Sequence, residues 1–382
     1  MTGAHIVGVG MHPFGRFEDR SAIDMGVAAV RAAIADAAID PRTIGASFCA
    51  TAYGGVAAGH RVLGRLAMTG GPIVDVEAGC ASGGAALQLA THAVESGRHE
   101  AVLVFGIEKM PKGVIRSSFF EPWQEQAGLT PAPAYFALRA QRLLREQGIT
   151  KDDLATLVVK NRAHGVDNPD AMFRAAVTAE GVLASRVICE PLHLWMLCSP
   201  NEGAAAVVVS GRPGAGGGSA TRAIRVAGIS LRSHLPGSVL GEDSPLAGID
   251  DADIVPPTTL AAQDAYEESG LGPDDIDVVE CQDTDAAREL MVWSELGLCS
   301  PGGQPRLLAD RSTELGGARP INPSGGLLSK GEPLGASALG QVVELVRQLR
   351  GECGTRQVDG ATTALSHVIG RGANACVTIL QR

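Results

Sequence analysis

The same order of predicted elements occurs twice along the chain, and this repeat limits the folds that the chain can adopt. In each half, a predicted strand precedes a turn of small residues, which leads into a helix and then a second, buried strand. The first copy consists of the strand 44–52, the turn around Cys80, the helix 85–96 and the strand 101–106. The second copy consists of the strand 276–282, the glycine-rich turn 321–326, the helix 336–350 and the strand 364–369. An internal duplication of one α/β unit explains this order better than two unrelated domains.

A glycine-rich segment at 211–219 lies just past the midpoint of the chain and separates the two copies. We therefore predict two halves, residues 1–212 and residues 220–382. A chain of 382 residues is too long for one ordinary hydrophobic core. Two such halves would pack helices between and outside two sheets, which predicts a layered α/β architecture.

Composition argues against several classes of protein. The net charge of −10 disfavours nonspecific binding to nucleic acid or to anionic membranes. The eight cysteines include no C-x-x-C pair, so no metal site is predicted. The first residues lack the pattern of a signal peptide, and no apolar run reaches the length of a membrane span. These features predict a cytoplasmic protein with reduced thiols.

Cys80 is the first candidate for chemistry. It lies in the run EAGCASGG at 77–84, between a predicted strand and a predicted helix. The positive end of a helix dipole stabilises a thiolate, which is the nucleophilic form of cysteine. The small residues around Cys80 leave space for a bulky acyl group. A buried structural cysteine is the alternative, and position alone leaves both interpretations open.

Four segments together resemble the thiolase superfamily, and most of all its sterol-carrier-protein-2-type, or lipid-transfer-type, branch. They are the Cys80 turn, ECQDTD at 280–285, NPSGGLLSKGEPLGA at 322–336 and LSHVIGRG at 365–372. The segments follow the family's order, and the similarity extends over essentially the whole chain. The stretch 116–142 also resembles the thiolase-like subunit of benzoylsuccinyl-CoA-thiolase-type complexes.

The resemblance implies a thiolase fold, in which two duplicated α/β halves form five layers in the order αβαβα. It implies coenzyme A thioester chemistry, with an acyl-CoA and coenzyme A as substrates and with no cofactor held by the chain. It also implies a homodimer. Because such relatives often work with a small zinc-ribbon/OB-fold subunit, and this chain has no zinc site of its own, a partner of that kind is expected.

The resemblance assigns the nucleophile to Cys80, but the family's acid/base residues are changed. Glu332 stands in place of the histidine of the G-H-P motif, and Thr284 in place of the cysteine of the H-D-C-F motif. An ionised carboxylate donates no hydrogen bond and disfavours a nearby thiolate, whereas a protonated one could donate. Glu332 therefore either takes part in catalysis or only caps a helix. Asp283 either orients a neighbour or caps a turn, and His367 is a candidate base or oxyanion donor.

Glycine-rich turns complete the predicted site. Ser324, Gly325 and Gly326 precede a helix, and Gly370 lies within the last of the four segments. Their backbone N–H groups are predicted to contact the oxygen of the thioester or oxyanion, with a plain tight turn as the alternative. The segment 117–133 is rich in aromatic residues and is predicted to be a loop over the active site. It would line an acyl or aryl pocket or contact a second copy of the chain.

Three functions are compatible with these residues. In the first, a thiolase-like acyltransferase cleaves or forms a C–C bond in a 3-oxoacyl-CoA through an acyl-Cys80 intermediate, and the altered acid/base residues favour an aromatic or branched acyl group. In the second, a retro-aldolase cleaves a 3-hydroxyacyl-CoA with no covalent acyl step. In the third, the chain is the acyl-CoA-binding or lipid-binding subunit of a complex whose partner carries out the chemistry.

Overall fold

The computed structural model describes residues 3–113, 115, 122–215, 220–236, 254–370 and 374–382. Its strands are β1 (His5–Gly15), β2 (Ile44–Ala50), β3 (Ile73–Val76), β4 (Ala101–Lys109), β5 (Val187–Cys189), β6 (Leu192–His193), β7 (Glu202–Ser210), β8 (Ile224–Arg232), β9 (Val278–Cys281), β10 (Thr363–Ile369) and β11 (Ala375–Gln381). Its α-helices are α1 (Ala22–Ala37), α2 (Ala58–Gly64), α3 (Ser82–Glu95), α4 (Pro122–Gln126), α5 (Ala132–Gln147), α6 (Lys151–Gly165), α7 (Ala179–Ala184), α8 (Pro257–Ser269), α9 (Ala286–Glu295), α10 (Gln304–Ala309), α11 (Gly326–Lys330) and α12 (Leu334–Arg350).

The pairing of the strands repeats between the two halves. Within the described residues, nine strands pair in the order β3-β2-β4-β7-β1-β8-β11-β10-β9. In the first half, β2 is parallel to β4, which pairs antiparallel with β7, and β7 pairs antiparallel with β1. In the second half, β9, β10, β11 and β8 follow the same scheme. The predicted duplication of one α/β unit is therefore present in the strand order.

The two halves are joined along a short contact. Strands β1 and β8 pair only through His5 with Arg225 and Ile6 with Ile224. The sequence predicts two separate sheets, whereas this contact makes the hydrogen bonding continuous from one half to the other. The bounds 1–212 and 220–382 for the two halves stay a prediction.

Helices form layers between and outside the two halves of the sheet. Helices α3 and α12 lie in the middle, where each packs against strands of both halves. Helix α1 covers the outer face of the first half, and α8 covers that of the second, with α9 packed in the same outer core. This confirms the predicted αβαβα order. None of the helices in the described part of the chain is long and apolar enough to cross a bilayer.

Glycines allow the start of α3 to pack closely in the middle layer. A β-carbon at Gly83 would lie 3.0 Å from the β-carbon of Ala338 on α12, and one at Gly84 would lie 2.8 Å from the thiol sulfur of Cys376 on β11. Larger side chains would push the helix away from both neighbours. These contacts fix the end of α3 that follows Cys80.

The predicted loop at 117–133 is partly helical. Residues 122–126 form α4, and α5 begins at Ala132, so only a short link between them is irregular. Residues 116–121, where part of the predicted aromatic pocket falls, lie outside the described residues. The prediction of one continuous loop is therefore wrong for its second part.

Candidate active site

Cys80 lies in a tight turn two residues before α3. Gly79 has a φ of +59°, a left-handed conformation that glycine adopts without strain. The Ser82 hydroxyl accepts a hydrogen bond from the Ala78 N–H at 2.9 Å and donates one to the Gly79 carbonyl at 2.6 Å, which closes the turn. Among the described residues, no side chain caps α3. The N-terminal end of α3, where the dipole is positive, therefore adjoins the Cys80 turn, as the sequence predicts.

Gly370 presses against the same turn. A β-carbon at Gly370 would overlap the carbonyl oxygen of Ala78 and lie 3.0 Å from the N–H nitrogen of Ala81. Its own N–H donates to the Asn374 carbonyl at 2.7 Å. The predicted role of Gly370 as an oxyanion donor is therefore corrected, because its N–H already has a partner. Its contribution is the close contact that holds the Cys80 turn.

We expect Gly370→Ala to destabilise the fold and to displace Cys80. The added methyl group has no room, and overpacking of this kind costs about 1–3 kcal/mol of unfolding free energy. Urea unfolding and the rate of Cys80 alkylation by iodoacetamide measure the two effects. Gly64→Ala is the matched control, because a β-carbon there meets no atom within 4 Å. Equal unfolding free energies for the two variants would contradict this account of Gly370.

A second group of side chains forms a hydrogen-bonded row. The Cys198 thiol donates to the Glu332 Oε2 atom at 3.3 Å, and the Gln282 side-chain amide donates to Glu332 Oε1 at 3.0 Å. The Gln282 carbonyl oxygen in turn accepts from the N–H of Ile369 at the end of β10. Glu332 is only 5% exposed, so its carboxylate depends on these donors. A single row thus connects the end of β10 to Cys198.

Three loops supply this row, and backbone contacts hold them together. Glu332 precedes α12, Cys198 precedes β7, and Gln282 follows β9. The Glu332 N–H donates to the Ser199 carbonyl at 2.8 Å, and the Cys198 N–H donates to the Thr284 carbonyl at 2.9 Å. These bonds fix the segment around Cys198 against both other loops, which positions its thiol before any ligand binds.

The electrostatic surroundings of Cys198 keep it protonated. Burial raises its pKa well above the usual value, and the nearby carboxylate of Glu332 raises it further. Smaller effects of Asp283 and Cys80 raise the pKa of Cys198 in the same direction. The row that contains Cys198 also reaches the Cys80 turn, because Ile369, which donates to Gln282, is followed by Gly370, which packs against Ala78 and Ala81. Cys198 is nevertheless partly exposed, whereas Cys80 is 5% exposed. The site therefore offers a protonated thiol beside the predicted nucleophile.

The contacts of Glu332 distinguish between its two predicted roles. Among the described residues, no side chain caps α12, whose cap position is Pro333. Glu332 instead accepts from the side chains of Cys198 and Gln282. A capping role is therefore not supported, and Glu332 belongs to the candidate active site.

Ser324, Gly325 and Gly326 do not offer the donors that the sequence predicts. The Ser324 N–H and hydroxyl donate to the carboxylate of Glu280 at 2.9 and 2.7 Å. The Gly325 N–H donates to the Asn322 carbonyl at 2.9 Å, and the Gly326 N–H to the Ser324 hydroxyl at 3.3 Å. All three N–H groups have partners within the chain, so the plain-turn alternative describes them and the thioester-binding role is corrected.

Asp283 supports the same turn. Its carboxylate accepts from the N–H groups of Leu327 and Leu328 at 2.6 and 3.1 Å, at the start of α11, and from the Asn161 amide at 2.9 Å. Burial and the charge of Glu289 raise its pKa well above the usual value. These contacts agree with the alternative in which Asp283 caps a turn.

Thr284 accepts a hydrogen bond from the Cys198 N–H through its backbone carbonyl, while its hydroxyl donates to Asp285 at 3.3 Å.

His367 is separated from the Cys80 turn by the sheet. Successive side chains of a strand point to opposite faces. Val368 packs in the core that contains Cys80, whereas Leu365 and Ile369 pack in the outer core of the second half, on the same face as His367. The Nε2 atom of His367 lies 3.1 Å from the Thr258 hydroxyl, and burial lowers the pKa of His367 well below its usual value. The predicted position beside the nucleophile is therefore corrected: His367 is a neutral histidine of the outer core.

His164 supports the turn at 322–326 and makes stability depend on pH. Its Nδ1 donates to the Asn322 carbonyl at 2.9 Å, and its Nε2 accepts from the Leu315 N–H at 3.1 Å. Burial, with a smaller effect from Lys160, lowers its pKa from 6.5 to about 4. His164 therefore binds a proton near pH 6.5 in the unfolded chain but only near pH 4 in the folded chain.

We expect unfolding free energy to fall as the pH decreases from about 6.5 to about 4, with ~3 kcal/mol of the loss due to His164. The stabilising contribution is complete above this window. Urea unfolding at several pH values measures the slope, which should be smaller in His164→Gln than in the wild type. The exposed His60, changed to Gln, serves as the control. An unchanged slope in His164→Gln would contradict this assignment.

Sequence reasoning missed Cys198 and the connecting role of Gln282. Cys198 lies in no pattern that marks a reactive thiol, and Gln282 was noted only as a departure from a family motif. Their importance comes from contacts between residues 50 to 134 positions apart. The available signal was the stretch CSPNEGAA at 198–205, which lies within the region of family resemblance.

Comparison with known protein families agrees with this fold. The model "Thiolase, N-terminal domain" matches residues 4–182, and "Thiolase C-terminal domain-like" matches residues 246–382. Benzoylsuccinyl-CoA thiolase subunit BbsB of Thauera aromatica is 35% identical over 382 residues, which cover 97% of this chain and 95% of the relative. Sterol carrier protein 2 of Homo sapiens is 35% identical over 98% of this chain and 71% of its own length.

A solved structure resembles the whole chain. The structure described as an Ltp2-ChsH2(DUF35) aldolase superposes with a TM-score of 0.85 at 27% identity, over 100% of this chain and 98% of that one. Both family models, the relatives and this structure agree with the duplicated five-layer architecture. The chain belongs to the thiolase family, in the branch that contains the sterol-carrier-protein-2-type thiolases.

Proposed function

We propose that the chain is an acyl-CoA C-acyltransferase that cleaves or forms a C–C bond in a 3-oxoacyl-CoA through an acyl-Cys80 intermediate. One observation carries this proposal: Cys80 precedes α3, and its turn packs against Gly370, which follows the end of the hydrogen-bonded row that holds Cys198 and Glu332. A stabilised thiolate and a separate proton-carrying pair are the two components that thioester C–C cleavage requires.

In the cleavage direction, the Cys80 thiolate attacks the 3-keto carbon and the bond between carbons 2 and 3 breaks. The acyl group remains on Cys80, and the electron pair of the broken bond leaves as the enolate of a shorter acyl-CoA. Protonation of carbon 2 releases that product. The thiolate of free coenzyme A then attacks the acyl-Cys80 thioester, which forms the second acyl-CoA and restores the Cys80 thiolate. Coenzyme A is thus a substrate.

The acyl group that we propose is aromatic or branched. The acid/base residues differ from those of the family pattern, with Glu332 and Thr284 in place of a histidine and a cysteine. A relative with 35% identity over nearly its whole length is named a benzoylsuccinyl-CoA thiolase subunit. Both observations favour a substrate unlike a straight-chain 3-oxoacyl-CoA.

A retro-aldolase is the second candidate. The solved structure with a TM-score of 0.85 is described as an aldolase, and His367 lies on the opposite face of β10 from the Cys80 turn. In this reaction Glu332 would accept the proton of a 3-hydroxyl group. The bond between carbons 2 and 3 would then break to give a carbonyl compound and an acyl-CoA enolate, without an acyl-Cys80.

We also propose that the chain works in an assembly. One similar protein is named as a subunit, and the name of the solved structure joins two components. A small zinc-ribbon/OB-fold subunit and a second copy of the chain are the proposed partners, and an acyl-CoA-binding role beside a catalytic partner is the third candidate function. Strand β3 lies at the edge of the sheet with Val74 45% exposed, a suitable surface for a second copy.

The eight free cysteines suit a reducing compartment such as the cytoplasm.

Product analysis tests these candidates. The wild type, alone and mixed with a candidate small subunit, is incubated with aryl and branched 3-oxoacyl-CoA in the presence of coenzyme A, and in parallel with the 3-hydroxyacyl-CoA of the same acyl group. Two acyl-CoA products that form only with added coenzyme A would support the acyltransferase. A free carbonyl product from the 3-hydroxyacyl-CoA would support the aldolase. Binding without turnover in every mixture would support the binding subunit and contradict both enzymes.

A further inference from the structure

The proposed reaction needs a group that delivers a proton to carbon 2, and two of the residues that the sequence suggests are poorly suited to do so. His367 lies on the opposite face of β10 from the Cys80 turn. The hydroxyl of Thr284 is buried and donates to Asp285. A hydroxyl is also a poor acid at neutral pH. This leaves the row that contains Glu332 and Cys198 as the source of the proton.

Cys198 is suited to be this proton donor, because its thiol carries a proton and the residue is partly exposed. Its thiol points to Glu332 Oε2 at 3.3 Å, so the sulfur carries the proton and the carboxylate accepts. The hydrogen-bonded row that Cys198 ends begins at Ile369, and the next residue, Gly370, packs against the Cys80 turn. Cys198 is partly exposed, while Glu332 and Gln282 behind it are buried. Because Cys198 ends the row and is its least buried residue, we expect a substrate attached to Cys80 to meet Cys198 rather than the carboxylate.

Glu332 is arranged to orient this thiol. Its Oε1 atom is held by the Gln282 amide at 3.0 Å, and Gln282 is held by the N–H of Ile369. The Cys198 N–H donates to the Thr284 carbonyl at 2.9 Å, which fixes the backbone of Cys198. With both ends of the pair held, little reorientation is needed at the moment of proton transfer.

We infer that Cys198 is the catalytic acid/base at carbon 2, and that Glu332 and Gln282 are the residues that position it. This inference rests on the proposed function. In the cleavage direction, the proton of the Cys198 thiol passes to carbon 2 of the enolate, which leaves a Cys198 thiolate. Free coenzyme A attacks acyl-Cys80 as its thiolate, after its proton has passed to water, and water returns one proton to the Cys198 thiolate. In the opposite direction, the Cys198 thiolate removes the proton from carbon 2.

Two probes separate this step from acyl transfer. Benzoyl-CoA has no hydrogen on carbon 2 and reports only acylation of Cys80. Acetyl-CoA and propionyl-CoA in deuterium oxide report proton exchange at carbon 2. The wild type, Cys198→Ala and Cys198→Ser are compared with Cys299→Ser, whose partly buried thiol lies beyond α9 and outside the site. Circular dichroism and urea unfolding check the fold of each variant.

The expected result is that both Cys198 variants acylate Cys80 at close to the wild-type rate but exchange carbon-2 protons about 10²–10⁴-fold more slowly. Cys299→Ser should match the wild type in both assays. Undiminished exchange in Cys198→Ala, or equal losses of exchange and acylation in a folded variant, would overturn the role of Cys198. A wild type that becomes acylated on Cys80 but catalyses no proton exchange at carbon 2 of acetyl-CoA or propionyl-CoA would also overturn it. Absence of acyl-Cys80 in the wild type would instead contradict the proposed function.

Discussion

Cys80→Ala is expected to lower C–C bond cleavage by about 10⁶-fold, the scale seen when a covalent nucleophile is removed. The turn around Cys80 consists of glycine, alanine and serine residues. The hydroxyl of Ser82 is engaged in two hydrogen bonds that stabilise the turn, so it does not replace the lost thiol. The neighbouring thiol of Cys198 is held as a thiol by burial and by Glu332, so it is a poor substitute nucleophile. Steady-state cleavage of a 3-oxoacyl-CoA measures the loss.

The fold should survive this change. Alanine at position 80 removes one sulfur atom from a site packed with small residues, and such truncations cost about 1 kcal/mol. Urea unfolding should therefore give a similar midpoint for Cys80→Ala, Cys299→Ala and the wild type, while only Cys80→Ala loses turnover. Full cleavage activity in folded Cys80→Ala would exclude the covalent acyltransferase and favour the retro-aldolase.

Glu332→Gln is the second change with a large expected effect. The variant keeps the shape of the side chain but removes the charge that accepts from Cys198 and Gln282. Cys198 and Gln282 donate to different oxygens of the carboxylate, and in the amide one of these oxygens is replaced by an NH₂ group, so one of the two donors loses its acceptor. Turnover should fall by about 10²–10⁴-fold, the contribution typical of a positioned acid/base group.

The same variant should make Cys80 react at lower pH. A carboxylate near a thiol opposes the formation of thiolate by repulsion between like charges. The rate of iodoacetamide alkylation of Cys80, followed by peptide mapping across a pH series, measures this effect. Glu267→Gln, on the exposed face of α8, is the control and should leave both readouts unchanged. An alkylation profile that does not move in Glu332→Gln would place this carboxylate outside the electrostatics of Cys80.

Local sequence patterns predict the elements well because the information is local. The strand, turn and helix around Cys80 follow from an apolar run, a cluster of small residues and a helical period. The repeat of that order in the second half predicts the layered architecture, and the strand pairing confirms it. Helix α3 begins at Ser82, three residues before the predicted start, because glycine is tolerated where the helix packs closely on α12 and β11.

The chemistry around Cys80 could not be predicted in the same way. The row of Cys198, Glu332 and Gln282 joins three loops that are distant along the chain. A glycine-rich turn has the same local pattern whether its N–H groups are free or engaged, and the engagement of Ser324 depends on the distant carboxylate of Glu280. The face on which His367 lies depends on strand alternation relative to a core that only the folded chain defines.

The acyl-Cys80 intermediate is the central claim, and mass spectrometry tests it most directly. The wild type is mixed with benzoyl-CoA, quenched in acid after a short incubation, and digested for peptide mapping. The account predicts one benzoyl group per chain, attached to Cys80 and removed when free coenzyme A is added before the quench. Catalytic turnover with no adduct, or an adduct on a different cysteine such as Cys198, would contradict it.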